Sequence, residues 1–345
     1  MKFIEYIFSV KNIKQQKVLT ILGLKFKFYN QKKAISELKT QIKDIRKENK
    51  RLTTYCNQLK YFVDGCCDIT KCKPAEGLMR EVQLTKLKGL KIVVKILEKH
   101  NIPYWLDFGT LIGAYRHKGF IPWDDDIDIS ILRKDYYNVE KFINEELKGT
   151  GFIAEIGGNN RSYIMRVVDT KTNIVFTDLF PYEFCTVNET STRDTLADKL
   201  RKIRIEFFND ISTNKDLRAS DIERQYTNLI EMYEKNNIIL EKEPKEYIFR
   251  AVDSMSNQLR QSVHCAQDIF PLQKIYFEDS EFNVPYNIRK YLSECDDGNY
   301  GDVMKFPPIS AICCRKDYNL ITDENWINNL RLLSNSLDEI LAKYD

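Results

Sequence analysis

The chain has no apolar run long enough to cross a bilayer. Its most apolar early stretches, FIEYIFSV (3–10) and VLTILGL (18–24), fall short of the ~20 residues a membrane helix needs, and of the core of a cleavable signal. It has no Cys-x-x-Cys pair. The nine cysteines are odd in number; Cys66-Cys67 and Cys313-Cys314 are adjacent, and Cys66, Cys67 and Cys72 crowd together without a second pair at zinc-ligand spacing. These absences predict a reducing, cytoplasmic setting, free thiols and no structural zinc. Strong net charge is also missing: 53 Lys and Arg against 50 Asp and Glu give +3, which argues against a nucleic-acid partner. No internal repeat or low-complexity tract is visible. What remains is a chain of 345 residues, 43% hydrophobic and 30% charged, enough for one large domain or two smaller ones with real cores.

The charge is unevenly spread. Residues 1–60 hold 15 basic against 4 acidic residues, a balance of +11, and the rest of the chain carries −8. A basic tail, residues 1–30, thus precedes an acidic body. It serves either solubility or contact with an anionic membrane surface or polysaccharide, the latter making the protein peripheral on the inner face of the membrane. Ile35, Leu38, Ile42, Ile45, Asn49, Leu52, Cys56, Leu59, Val63 and Cys66 follow 3-4 spacing without a break, about four and a half heptads. Asn49 occupies an a position, where a buried amide favours two strands. Residues 31–68 therefore predict a coiled coil and a homodimer; the other reading is a long amphipathic helix packed on its own domain.

Beyond Pro74 the pattern alternates. Helices are predicted at 75–100, 110–117, 133–148, 193–208, 220–236, 243–265 and 324–343. Strands are predicted at 104–108, 124–132, 163–168 and 174–180, with a turn at Gly109 and a hairpin at 276–285. Interleaved strands and helices imply an α/β or α+β fold.

The stretch GFIPWDDDIDIS (119–130) sets four aspartates among isoleucines. Read as a strand, it places Asp124, Asp126, Asp128 and Ser130 on one face and Asp125, Ile127, Ile129 and Ile131 on the other. A solvated charged face would lack an apolar partner face. Carboxylates held together repel and raise one another's pKa unless a cation neutralises them, and a hard divalent ion is the natural partner. Upstream, Gly109 allows close backbone approach and Thr110 either caps a helix or contacts phosphate. A Gly-Thr turn shortly before an Asp-x-Asp strand suits phosphoryl transfer.

The 26 residues YWLDFGTLIGAYRHKGFIPWDDDIDI resemble the signature of the LicD family, which includes fukutin and fukutin-related protein. The likeness continues in KPAEGLMREVQL (73–84), FTDLFPYE (176–183) and VPYNIRKYLSECDDGNYGDVMKFPP (284–308), and covers roughly 73–315; a catalytic domain is placed at 73–345. KVLTILGLKFKF is similar to a segment of many bacterial cell-surface glycan transferases. The resemblance implies a nucleotidyltransferase-like mixed sheet flanked by helices. It implies Asp126, Asp128 and Asp178 as catalytic, metal-holding carboxylates with Asp124 as a further ligand, Mg²⁺ or Mn²⁺ as the ion, and Gly109 and Thr110 at phosphate. Arg116 is placed to steady charge, His117 either does the same or simply caps or packs, and Asp178 doubles as general base if its pKa is raised. Trp105 and Trp123 are candidates for a choline cage.

The activity implied is transfer of a phosphorylated alcohol, phosphocholine or a polyol phosphate, from a CDP-activated donor to a hydroxyl of a cell-surface glycan such as lipopolysaccharide, capsule or teichoic acid. The rival readings are nucleotidyl transfer to a small-molecule acceptor and a non-enzymatic coiled-coil scaffold. One departure is Val303, where the family carries an aromatic after YGD; Arg315 and Lys316 are the basic residues of an unusual cysteine context.

Overall fold

The structure, a computed structural model, describes residues 8–13, 16–21, 24–29, 31–157, 163–187, 192–213, 222–254, 262–295, 304–305 and 318–344. Val303, Arg315, Lys316 and Cys313-Cys314 lie outside the described residues. The chain divides into two compact units, Met1–Cys67 and Asp68–Asp345. Among the described residues no helix is long and apolar enough to cross a membrane.

In the first unit the basic segment forms an antiparallel sheet in the order β1 (Phe8–Ile13), β2 (Gln16–Ile21), β3 (Leu24–Tyr29). One helix, α1 (Gln31–Cys66), then runs through the whole predicted seam. The Ile and Leu positions of the seam are exposed, from 44% at Leu59 to 59% at Ile45, and Val63 is half-buried.

The second unit is a mixed sheet flanked by helices. Helix α2 (Gly77–Lys99) leads to β4 (Tyr104–Leu106), α3 (Phe108–His117), β5 (Asp128–Leu132), α4 (Arg133–Glu146), β6 (Phe152–Ile156), β7 (Met165–Asp169) and β8 (Val175–Val187). There follow α5 (Arg193–Thr213), α6 (Ile222–Lys235), β9 (Ile238–Glu241), β10 (Tyr247–Arg250), β11 (Val263–Cys265), α7 (Ala266–Ile269), the hairpin β12 (Gln273–Phe277) and β13 (Ser280–Val284), α8 (Ile288–Glu294) and α9 (Glu324–Leu341). The sheet runs β11-β10-β8-β5-β4, with β7 and β9 also paired to the long β8 and β6 paired to β7. β5 and β8 are parallel, joined through α4, β6 and β7; the other pairs of this sheet are antiparallel.

Most predicted elements form within a few residues of their expected ends. Three do not. The 243–265 helix is instead β10 and β11, because Ile248 and Phe249 are fully buried in a strand that pairs with both β8 and β11. Such tertiary pairing outweighs the helical preference of the Glu and Lys around them. Strand β5 begins only at Asp128: Asp124 N–H bonds the Ile121 carbonyl in a turn, and Asp126 N–H bonds the Asp124 carboxylate. Gly109 is not a turn between elements but lies in the first turn of α3.

Ile129, Ile131 and Leu179 are completely buried and anchor the central pair of strands in the main core. A second core forms where α5 and α6 cover β9, β10 and β11. The β12–β13 turn clamps the loop after α3. Glu278 accepts hydrogen bonds from Arg80 Nη1 (2.8 Å) and Nη2 (2.5 Å) and from Phe120 N–H (3.0 Å), and its own N–H donates to the Lys118 carbonyl. Burial alone raises this carboxyl, but the bonds from Arg80 and Phe120 prevail and hold it below its ordinary 4.5.

A carboxyl lowered by folding contributes stability in full above pH 4.5, and that contribution fades as pH falls through the folded value. Glu278→Gln is therefore expected to destabilise by about 2 kcal/mol at neutral pH. Urea unfolding at neutral and acid pH reads it; an equal difference from wild type at both would refute the assignment.

Candidate active site

Asp107 organises the site. It ends β4, donates its N–H to the Asp128 carbonyl (3.0 Å) and caps α3 by accepting the Phe108 N–H (2.8 Å). The residue read as a possible cap, Thr110, sits one turn further in. Ser130 Oγ and Tyr182 Oη donate to the other Asp107 oxygen, at 2.6 and 3.3 Å. Asp107, Ser130, Tyr182, Tyr291 and Arg250 are all fully buried. With the Tyr182 proton on Asp107, Tyr291 donates to Tyr182 (2.7 Å) and accepts from Trp105 Nε1 (3.1 Å), so each proton has one place. The Arg250 guanidinium lies 3.8 Å from the Phe108 ring. Phe108 takes a left-handed backbone (φ 45°), a conformation that costs a side-chain-bearing residue about 1–2 kcal/mol. The ring contact and the Asp107 bond hold it there, and so fix the start of α3.

Thr110 is buried. Its hydroxyl accepts the Asp128 N–H (2.9 Å) and reaches the Asp126 carbonyl (3.5 Å), stitching the acidic loop to the helix. A Cβ on Gly109 would collide with the Asp124 carboxylate, so glycine is what lets that side chain lie against α3. From α2, the buried Gln83 amide donates to the Ile121 (3.2 Å) and Asp124 (2.8 Å) carbonyls.

The acids meet in two groups. Oxygens of Asp124, Asp125 and Asp126 lie within 4.8 Å of one another. Across the sheet, Asp128 is the register partner of Asp178, and Asp178 of Arg166. These three side chains share one face of β5, β8 and β7, with strands about 4.8 Å apart. Burial and then the neighbouring Asp178, Asp126 and Asp124 charges push the Asp128 carboxyl well up. Burial lifts Asp178 to about 6, with Arg166 opposing and Asp126 adding. Arg166 Nε stands 3.4 Å from Asp178 Oδ1, yet neither atom has a hydrogen-bond partner. An under-coordinated carboxylate oxygen beside further acids is a donor set that fits a hard divalent cation.

The LicD/FKTN/FKRP nucleotidyltransferase-domain family model matches residues 101–214. Lipopolysaccharide cholinephosphotransferase LicD of Haemophilus influenzae is 30% identical over 254 residues, 67% of this chain and 92% of that protein. The chain belongs to the LicD family. Human ribitol 5-phosphate transferase FKRP is 35% identical over 112 residues, 31% of this chain but 22% of that protein, and mouse ribitol-5-phosphate transferase FKTN is 40% identical over 47 residues, 14% of this chain and 10% of that protein. As a LicD-type protein the chain is a phosphotransferase.

In this LicD-family chain Asp126 and Asp178 line a cleft of about 520 Å³, together with Lys86, Arg166, Tyr318 and Trp326. Arg116 and His117 are not among the lining residues. Arg116 is buried and donates from Nε to His117 Nε2 (2.9 Å). Burial and the adjacent Arg116 hold His117 down at about 4, while burial lowers Arg116 to about 10 against the pull of Cys72 and Asp124. The pair thus backs Asp124 rather than facing the cleft. Trp105 is fully buried, with its N–H on Tyr291, which removes it as a cage for choline. Asp125, expected on the core face, is buried against Tyr318 Oη (2.6 Å) and Lys86 Nζ (3.6 Å).

Sequence reasoning missed Asp107, Lys86 and Arg166. Asp107 was legible as the acid just before the Gly-Thr pair. Arg166 sits in an otherwise apolar strand and Lys86 is one of several lysines on its helix, and only the fold aims them at the acids.

The mutual repulsion has a measurable sign. A carboxyl raised by folding weakens the metal-free protein at every pH above its folded value. Asp128→Asn is expected to raise the unfolding midpoint in EDTA at neutral pH, by about 2–4 °C per kcal/mol relieved, with the advantage shrinking in acid. A lower midpoint in EDTA would show that the charge is not strained.

Proposed function

We propose that the protein transfers a phosphorylated alcohol, phosphocholine or a polyol phosphate, from a CDP-activated donor to a hydroxyl of a cell-surface glycan, with Mg²⁺ or Mn²⁺. The observation that carries this is the Asp128–Asp178 pair, strained by mutual repulsion, whose Asp178 lines with Asp126 a cleft that also holds Lys86 and Arg166. The names of the relatives supply the substrate class: one is a lipopolysaccharide cholinephosphotransferase and others are ribitol 5-phosphate transferases. Asp126, Asp128 and Asp178, with Asp124 alongside, would hold the ion; bound there, it neutralises charge on the donor pyrophosphate and on the departing CMP.

The residues of the chain do the rest. Gly109 and Thr110 place the start of α3 and the acidic loop so that the carboxylates converge. Asp178 accepts the proton of the acceptor hydroxyl at Oδ1, a buried oxygen that takes no hydrogen bond from the chain. The Tyr318–Trp326 stack, with centroids 5.8 Å apart, offers an apolar wall for the base or the alcohol group.

Incubation of a glycan acceptor with CDP-choline, CDP-ribitol or CDP-glycerol in Mg²⁺ is expected to release CMP, and incubation with nucleoside triphosphates is expected to release no pyrophosphate. Asp126→Asn and Asp128→Asn are each expected to cut turnover by at least a hundredfold without unfolding the chain. Pyrophosphate release would favour nucleotidyl transfer, and turnover within tenfold of wild type in either variant would remove the metal assignment.

The exposed seam of α1 suits a parallel homodimer. Ile at a and Leu at d favour two strands, and an apolar stripe of this length left in water is costly. The basic sheet ahead of it is suited to an anionic membrane surface. Light scattering is expected to give a dimer for the full chain and a monomer for a chain starting at Lys73, with Asn49→Ile broadening the distribution. A monomeric full chain at micromolar concentration would end this reading.

A further inference from the structure

We propose that Arg166 is the phosphate-binding cation of the cleft, held on Asp178 until a divalent ion takes over that carboxylate. This rests on the reading of the site given above and extends it to a residue that neither the sequence pattern nor the relatives single out. Among the described residues that line the cleft, two are basic, Lys86 and Arg166. Lys86 is buried and directed to Asp125, which also takes the Tyr318 hydroxyl. Arg116, the basic residue of the motif itself, is buried on His117 and does not reach the lining. Thr110 uses its hydroxyl on the backbone.

Arg166 differs from all of these. Register sets it beside Asp178 on the same face of the sheet. It is partly exposed, at 26% for the side chain. Its Nε is 3.4 Å from Asp178 Oδ1, and the two atoms do not meet hydrogen-bond geometry. The pair is thus held by charge rather than by directed bonds, and such a pair separates readily when a stronger cation arrives. The charges in this row also favour exchange. Asp128 and Asp178 lie in register with Arg166, and the Lys86 charge also reaches Asp178; a divalent ion held by the acids would remove the excess negative charge and leave the guanidinium to turn to the phosphates of an incoming nucleoside diphosphate. Arginine presents a planar fork that matches phosphate oxygens. No bond is made or broken in this step; one cation replaces another at Asp178.

Calorimetric titration of the full chain with Mn²⁺ alone, and with cytidine diphosphate in Mn²⁺ or in EDTA, tests this. Arg166→Gln is expected to bind Mn²⁺ at least as tightly as wild type but cytidine diphosphate in Mn²⁺ about ten- to a hundredfold more weakly. Arg166→Lys is expected to recover part of that loss. In EDTA, Asp178→Asn frees the guanidinium and is expected to bind cytidine diphosphate more tightly than wild type, a gain that vanishes in the Asp178→Asn, Arg166→Gln double variant. Wild-type nucleotide affinity in Arg166→Gln overturns the proposal, as does a gain that survives in the double variant. If Arg166→Gln does not fold, the Asp178→Asn comparison with Arg166→Lys added decides on the same readout: a gain unaffected by shortening the cation overturns it. A wild-type chain that binds neither Mn²⁺ nor cytidine diphosphate would instead bring down the reading of the site itself.

Discussion

Carboxylates do not gather of their own accord, and the architecture of the second unit is arranged around keeping several of them together. Asp128 and Asp178 stand side by side because β5 and β8 are parallel and in register, with Ile129, Ile131 and Leu179 locking both strands into the core. The apolar burial on one face of those strands supplies the free energy that the repulsion on the other opposes. Slipping either strand by one residue would relieve the acids but expose the isoleucines. The strain is therefore a consequence of strand register.

The supports of this arrangement come from distant parts of the chain. Gln83 on α2 holds the acidic loop from below, Thr110 on α3 ties it from the side, and Glu278 in the β12–β13 turn fastens the loop after α3. Behind them, the proton chain through Trp105, Tyr291, Tyr182 and Asp107 is fully buried and satisfied. A satisfied buried network of this kind is rigid, because any displaced member leaves an unpaired polar group away from water. Rigidity is what an acidic site needs: carboxylates free to turn outward would relax away from one another and lose their affinity for a cation.

The first unit follows different physics. Its helix carries the whole heptad seam with the Ile and Leu positions exposed. The second unit carries its own cores and its own polar network, and all the residues of the candidate active site fall within it.

Much of this was legible in the residues alone. The heptad seam, the helix at 77–99, the strand–helix unit around Gly109 and the hairpin near 276–285 are local patterns: spacing, turn chemistry and alternation reveal them because each is decided by neighbours in sequence. The aspartates at 124–128 announced a crowded acidic site because like charges so close in sequence cannot separate far in any fold. The tertiary structure decided the remainder. It turned 243–265 into strands, because pairing with β8 buries Ile248 and Phe249. It turned the motif's Arg116 and His117 toward one another behind Asp124. It brought Lys86, Arg166, Tyr318 and Trp326, from four separate elements, to one cleft. Those placements depend on strand order and on which helix covers which face, and a single sequence does not encode such long-range choices in any short pattern of residues.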